Sequence, residues 1–323
     1  MNQPLVEVDR LTTVFRGRRT LGRPLGADIR AVDGVSFAIV EGESYALVGE
    51  SGCGKSTTGR SLLRLVEPTG GTVTFDGIDV RSATSSGLRA LRRQMQMVFQ
   101  DPYSALNPRM RIQDIVAEPL VVHGLARGAA ALDQARAILD HCGLPASAGA
   151  RFPSEFSGGQ RQRIVIARAL VTKPRFIVAD EPVSALDVSI QAQILNLLQD
   201  LQAEFRLTYL FISHDLAVVR TVSDRVAVMY LGQIVEEAET RRFFAGPRHP
   251  YSQALLSSVP REHPRQVTNR TILTGVLPSA ADPPPGCRFH TRCPLVTDRC
   301  RTEAPLLRPL TAGHRVACHL EEG

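Results

Sequence analysis

The chain has 323 residues, 43% of them apolar and 22% charged, with a formal charge of +6. That balance suits a soluble globular protein with one large core plus an appendage. No run of 18 apolar residues occurs, which excludes a membrane-spanning helix, and scattered arginines with only 5% aromatics and no Trp give no base-stacking surface for nucleic acid.

The opening Met1-Asn2-Gln3-Pro4 lacks the basic and apolar regions of a signal peptide, so a cytoplasmic setting is expected. Leu5 to Val8 is a short edge-strand candidate. The basic, Gly-rich segment Arg16 to Arg30 is expected to be a loop. Phe15 is either an adenine-stacking residue or a partly exposed hydrophobe. Val35 to Val40 has strand character, and Glu41-Gly42-Glu43 turns the chain into the apolar run Tyr45-Ala46-Leu47-Val48.

That run leads into the stretch around which the chain is organised, Gly49-Glu50-Ser51-Gly52-Cys53-Gly54-Lys55-Ser56-Thr57. It fits the phosphate-loop pattern G-x-x-x-x-G-K-[ST] without a mismatch. The glycines let several N–H groups face one point, and a helix from Thr57 to Leu65 adds its positive end. Lys55 is expected to reach the β- and γ-phosphates of a nucleotide, and Ser56 to hold Mg²⁺. Glycine-rich turns alone are common. The lysine, the hydroxyl and the strand–loop–helix context make this one specific.

Beyond Pro68-Thr69-Gly70-Gly71, Thr72 to Phe75 is a strand and Leu88 to Gln94 a helix. Met97-Val98-Phe99 is a short strand ending on Gln100, and the segment Asp101 to Pro108 is a proline-bearing loop. Over residues 112–151 Ala and Leu dominate and the strand pattern stops, as in a small helical subdomain of about residues 105–172. Leu132, Ala135, Ile138, Leu139 and Cys142 share one helical face there, with Cys142 a packed thiol. Ser157-Gly158-Gly159-Gln160 then opens a long helix to Leu170. Phe176 to Ala179 is a buried parallel-type strand ending at Asp180-Glu181. Ile190 to Leu201 is helical. Thr208 to Ile212 is a second buried strand, followed by Ser213-His214-Asp215. Val226 to Tyr230 and Gln233 to Val235 form a hairpin around Leu231-Gly232, and Glu239 to Phe244 is a last short helix. From Gly246 the strand–helix alternation is lost, so residues 246–323 are expected to form a loop-rich appendage to a 1–245 core.

Asp180 ends a buried strand, where phosphate-loop enzymes keep the acid that supports Mg²⁺. Strand alternation turns Glu181 the other way, toward a water in line with the γ-phosphate, as general base or orienting residue. Gln100 and His214 also follow strand ends, on the nucleotide side of a parallel sheet. Gln100 can bind Mg²⁺ or the attacking water through its amide oxygen. His214 can hydrogen-bond the γ-phosphate or fix that water. A lone Gln or His is weak evidence, and here it is position that argues for function. The helix start at Ser157 is a second anion site. One ATP does not need two in one subunit, so a pair is expected, each nucleotide lying between one subunit's phosphate loop and the other's Ser157, Gly158, Gly159 and Gln160.

Four of the six cysteines fall late, as Cys287-x5-Cys293-x6-Cys300-x17-Cys318. In a chain without an export signal this reads as a metal or iron–sulfur site rather than a disulfide framework. Cys293-Pro294 is similar to the Cys-Pro of some iron–sulfur ligands, while four thiolates can equally hold Zn²⁺. His290, His314 and His319 are weaker candidate ligands.

On these residues the chain resembles the nucleotide-binding subunits of ABC transporters over about residues 5–260. Gly49–Thr57 matches the Walker A motif and Gln100 the Q-loop. Phe156-Ser157-Gly158-Gly159-Gln160 matches the signature, with Phe where Leu is commoner. Phe176–Asp180 matches Walker B, Glu181 the catalytic carboxylate, and His214 the switch histidine. Ser184-Ala185-Leu186-Asp187 matches the D-loop, placing Asp187 at the dimer seam. The resemblance implies an α/β phosphate-loop ATPase of the ABC type, with a mixed sheet core, an antiparallel β part and a helical subdomain. Segments around Val98–Arg109, Glu181–Ser189 and His249–Leu256, and a tail from Leu277-Pro278 to Cys293-Pro294, resemble the oligopeptide/dipeptide importer branch. That branch also serves nickel and glutathione uptake. It implies two integral permease subunits, an external solute-binding protein, a second ATPase or a second copy of this chain, placement on the cytoplasmic face of the membrane, and in some members a [4Fe–4S] cluster on the tail cysteines. Rival readings fit less well. ABC ATPases of DNA repair carry long coiled-coil insertions and those of translation usually two cassettes, neither of which is present. A kinase leaves the second anion site unexplained.

Overall fold

The computed structural model describes residues 3–17, 19–20, 23–24, 27–258 and 278–321. Leu277 and parts of the 16–30 segment lie outside them. Backbone contacts divide the chain into two compact units, one of residues 1–5, 39–43 and 75–211, the other of residues 6–38, 44–74 and 212–323.

In the first unit the strands Thr208–Ser213, Phe176–Asp180 and Met95–Val98 lie side by side. The last two are parallel, Val98 opposite Ala179. Phe176–Asp180 is buried throughout, as its continuous apolar run requires. The helices Ile112–Val122, Gly128–His141 and Gly158–Leu170 pack on one another. Ala131, Ala135, Ile138 and Leu139 form the buried stripe of the second, with Leu132 only half-buried. Cys142 is buried beyond it, and burial pushes its thiol up to about 12. That is a packed, unreactive thiol. The loop expected after Gln100 contains a short helix, Pro102–Ala105, capped by Asp101.

In the second unit the strands Arg308–Thr311, His314–Val316, Gln233–Glu239, Arg225–Tyr230 and Ser44–Val48 lie in that order. Ser44–Val48 is buried at every position and runs parallel to Arg225–Tyr230. The hairpin around Leu231-Gly232 is antiparallel as expected. Three further strands, Ile29–Val40, Pro4–Phe15 and Gly70–Phe75, most of whose residues belong to this unit, lie side by side. Within the segment expected to be a loop, Arg19–Thr20 pairs antiparallel with Arg23–Pro24.

The tail departs from the expected loop. It contains the helices Pro250–Ser257 and Asp298–Thr302, and the strand His314–Val316 pairs antiparallel with Gln233–Glu239. That pairing explains a hairpin strand running four residues past Val235, through three acids, two of them buried. Glu236 and Glu237 are 0% and 2% exposed. Glu237 accepts from Tyr45 Oη at 3.0 Å and is paired with Arg225 and Arg315. Glu236 accepts from the backbone N–H groups of Arg248 and His249 at 2.7 and 2.9 Å, and lies 2.8 Å from His314 Nε2. Buried acids with this many partners are tolerable; unpaired, they would not be.

His249 caps the helix Pro250–Ser257, its Nδ1 accepting from the Tyr251 N–H at 3.1 Å. Burial lowers its pKa to about 3. The unfolded chain protonates this imidazole near pH 6.5 and the folded chain near 3, so folding stability falls as pH drops through that window, by on the order of a few kcal/mol. His249→Asn keeps an N-cap acceptor without the proton. Its melting temperature is expected to lose that part of the acid dependence; an unchanged pH slope would assign the loss to other groups.

Candidate active site

The nucleotide residues divide between the two units. In the second, Ser44–Val48 delivers the chain into the loop and the helix Lys55–Leu62 leads out, beginning two residues earlier than expected. Gly54 has φ 107, and a Cβ there would stand 2.0 Å from the Ala31 carbonyl oxygen. At Gly49, φ 153, a Cβ would meet the Met229 carbonyl oxygen at 2.2 Å. Both glycines are therefore fixed by close backbone approach as well as by φ. Lys55, 4% exposed, folds over the loop and donates from Nζ to the Gly49 and Glu50 carbonyls at 2.7 and 2.9 Å. Ser56 stands half-buried on the first helical turn beside Thr57, and Ser51 and Gly52 are exposed at the loop's tip. Cys53 is buried under the loop, 3.7 Å from Lys55 Nζ, and burial pushes its thiol up despite that lysine. It packs rather than reacts. His214 is exposed and lines a cavity of about 250 Å³ together with Val48, Gly49, Asp215, Leu216, Leu255 and Ser258. Phe15 ends its strand 45% exposed.

In the first unit Asp180 ends its strand fully buried. Glu181 does not continue the strand: its φ is +47, in the left-handed region. Its direction is set by that strained turn, not by the strand alternation expected from the sequence. Gln100 Nε2 donates to Glu181 Oε2 at 2.8 Å. The amide so oriented spends its nitrogen on the carboxylate and keeps its oxygen for a metal or water. Carboxylate and amide oxygens such as those of Asp180 and Gln100 are the hard donors Mg²⁺ prefers.

Ser157 caps the helix Gly158–Leu170 through a capping box. Its hydroxyl accepts from Gln160 N at 3.4 Å, and Gln160 Oε1 accepts from Ser157 N at 3.1 Å. Ser157 and Gln160 are exposed, while Phe156 is buried with the Arg151 guanidinium 4.4 Å over its ring. The apolar first position of the motif is thus an anchor. Gly158 and Gly159 face the D-loop and the helix Val188–Phe205. A Cβ on Gly158 would touch Leu186 Cδ2 at 3.5 Å, and one on Gly159 would meet Ile190 Cγ2 at 2.5 Å. Asp187 is exposed and caps that helix, accepting from Ile190 N at 3.0 Å and Ser189 Oγ at 2.7 Å. The signature and the D-loop are therefore one packed edge. Gly159→Ala is expected to destabilise it by about 1–3 kcal/mol, with Ile190→Ala restoring most of the loss in the double variant. Thermal unfolding of the three variants checks this; equal losses that simply add would contradict it.

Of the tail cysteines, Cys300 is buried and Cys287, Cys293 and Cys318 are half-buried. Gly286, φ +65, lies so close to the 300–302 backbone that a Cβ would be 2.5 Å from the Cys300 carbonyl oxygen, and Cys287 N donates to that same oxygen at 2.9 Å. This pinch joins the two ends of the cysteine segment. Burial raises the Cys318 thiol to about 11, and the neighbouring thiols Cys287, Cys293 and Cys300 add to the shift. Among the described residues, however, no three His, Cys, Asp or Glu side chains stand close enough to hold one metal ion. A tetrahedral zinc needs sulfurs about 3.8 Å apart. The donor chemistry fits a thiolate-bound group, and the spacing does not present a single-ion pocket. The candidate histidines are engaged elsewhere: His290 Nδ1 with the Cys287 carbonyl, His314 with Glu236, and His319 Nε2 with the Glu303 carbonyl.

Sequence reasoning missed Tyr251 and Arg292. The Tyr251 hydroxyl accepts from the Glu50 N–H at 2.9 Å, and the Arg292 fork holds the Glu50 carboxylate at 2.8 and 3.0 Å. Nothing local signals either contact.

A strand running into a glycine loop and a lysine-bearing helix start marks a phosphate-loop protein; the other unit carries the acids Asp180 and Glu181, the second bonded by Gln100. The ABC transporter family matches residues 32–184, and the C-terminal region of oligopeptide/dipeptide transporters matches residues 235–300. The oligopeptide transport ATP-binding protein AppF of Bacillus subtilis is 49% identical over 321 residues, covering 98% of both chains. Among solved structures, the ATP-binding cassette MJ0796, in a dimeric post-hydrolysis state bound to ADP and Pi, is 31% identical with a TM-score of 0.64. It covers 73% of this chain and 99% of that one. CbiO1 of Clostridium perfringens, part of the ABC transporter complex CbiONQ, is 25% identical at a TM-score of 0.64, covering 75% and 91%. The chain belongs to the ABC transporter family of ATPases, in the group that carries the oligopeptide/dipeptide transporter C-terminal region. No helix among the described residues is long and apolar enough to cross a membrane.

Proposed function

We propose that this chain hydrolyses ATP to drive peptide import through a pair of integral permease subunits on the cytoplasmic face of the membrane. The observation that carries the chemistry is the Gln100–Glu181 contact at 2.8 Å, which holds a strained carboxylate in one orientation. Lys55 and the loop amides of Gly49–Thr57 bind the phosphates, and Phe15 stacks on the adenine. Ser56, Asp180 and Gln100 hold Mg²⁺, which neutralises charge developing on the phosphoryl oxygens. Glu181 accepts the proton of the attacking water, and His214 fixes the γ-phosphate. Ser157, Gly158, Gly159, Gln160 and Asp187 complete the nucleotide site of a second cassette, either another copy or a relative. The exposure of Ser157 and Gln160, the two side chains of the capping box, supports this.

Peptide as the solute follows AppF, named for oligopeptide transport, and the matching C-terminal region. Nickel or glutathione are the other solutes to test. Tyr103, 64% exposed three residues after Gln100 with Arg161 stacked 4.1 Å from its ring, is the proposed contact for a permease's cytoplasmic helix. Uptake of labelled peptide by cells lacking the chain, with and without its restoration, tests the reading together with co-purification of permease subunits. Recovery of the chain with no membrane partner would point to a soluble ABC ATPase instead.

For Cys287, Cys293, Cys300 and Cys318 we infer a [4Fe–4S] cluster. The reading rests on the sequence, four thiols within one short tail segment with Pro294 after Cys293, and Zn²⁺ is the alternative occupant. Protein prepared without oxygen is expected to contain iron and absorb in the visible; stoichiometric zinc without iron would overturn the assignment.

A further inference from the structure

The phosphate loop is tied to the C-terminal tail directly at its entrance and, through the Leu231-Gly232 turn, indirectly farther along. At its entrance Glu50 is held twice. Its N–H donates to Tyr251 Oη at 2.9 Å, and its carboxylate takes a two-pronged bond from Arg292. Both anchors are buried: the Arg292 side chain is 8% exposed and Tyr251 0%. Tyr251 is in turn wedged against Tyr230 and Phe289, ring centroids 4.7 and 5.4 Å away. The carbonyl of the same Glu50 accepts from Lys55 Nζ. Farther along the loop, the Cys53 carbonyl accepts from Gly232 N at 2.9 Å, and the neighbouring Leu231 carbonyl is held by Arg288, which also pairs with Asp33. Arg288 and Arg292 flank Phe289 and each adjoins a tail cysteine.

We propose that the tail is a positioning element of the phosphate loop, with Tyr251 and Arg292 setting the orientation of the Glu50 peptide and so the position of Lys55. This rests on the loop being the ATP site. Glu50 N–H, spent on Tyr251, is not a phosphate donor. It fixes the plane of the Gly49–Glu50 peptide, whose Gly49 carbonyl receives the lysine at 2.7 Å. A charged, two-pronged bond with little solvent competition is strong enough to matter. Whatever loosens the 287–293 segment lowers the loop's hold on nucleotide, and by linkage nucleotide binding tightens that segment.

The test is ATP binding to the purified full-length chain, with Lys55→Ala as the control for the site. Tyr251→Phe, which deletes one oxygen, and Arg292→Gln are each expected to weaken ATP binding about 3- to 10-fold. In the assembled transporter KM for ATP rises in the same proportion while kcat stays within about twofold. Arg292→Lys recovers part of the loss. Adding Glu50→Gln to Arg292→Gln costs little more, because the two share one bond. Amide exchange across residues 287–293 slows on ATP addition in the wild type and does not in Arg292→Gln. Folded Tyr251→Phe and Arg292→Gln proteins that bind ATP as the wild type does would overturn the proposal. A wild type that binds ATP no better than Lys55→Ala would instead sink the assignment of the loop itself.

Discussion

Glu181→Gln is expected to abolish steady-state ATP hydrolysis, by at least about 100-fold, while leaving ATP binding intact. The reason is local. Glutamine has nearly the same shape, so the left-handed turn at residue 181 and the contact with Gln100 survive in altered polarity. What is lost is the capacity to take a proton from water. With bound ATP uncleaved, the paired cassettes stay closed, and a long-lived ATP-loaded pair accumulates. Hydrolysis assays with nucleotide-binding measurements on the same sample check this; turnover near the wild-type rate would remove Glu181 from the base role.

Lys55→Ala has the second large effect and a different signature. Lys55 is nearly buried and bridges two loop carbonyls, Gly49 and Glu50, so its ammonium is already turned to the concave side of the loop. Triphosphate gives that ammonium stronger anionic partners beside the loop that positions it. Removing the ammonium is expected to weaken ATP binding and to lower turnover by about 100-fold or more. Glu181→Gln should therefore hold ATP without cleaving it, and Lys55→Ala should do neither. ATP bound equally well by both variants would show that the lysine is not the phosphate anchor.

The parts of the site visible from sequence are those coded locally. Glycines at Gly49 and Gly54, the capping pattern Ser157–Gln160 and the apolar strand into Asp180 each announce their backbone within a few residues. The left-handed backbone at Glu181 does not, because nothing in its own side chain favours it. The acids Glu236 and Glu237 mark a surface strand by composition, yet Arg225, Arg315, Tyr45 and His314 cover them from distant parts of the chain. The strand His314–Val316 was hidden for the same reason: three residues carry no periodicity, and only pairing to Glu236–Ala238 makes them a strand. Tyr251 and Arg292 meet Glu50 across 201 and 242 residues. Such contacts belong to the fold, and no short motif records them.

The most direct measurement is turnover by the gently solubilised transporter with Ser157→Arg in this chain. Ser157 belongs to neither the phosphate loop nor the acid pair, and its exposed cap is free to meet another subunit. A cleavage step completed by the opposing cassette predicts that hydrolysis collapses at the site facing this segment, while the isolated variant still binds ATP at its own loop. Undiminished hydrolysis by that complex would contradict the shared site.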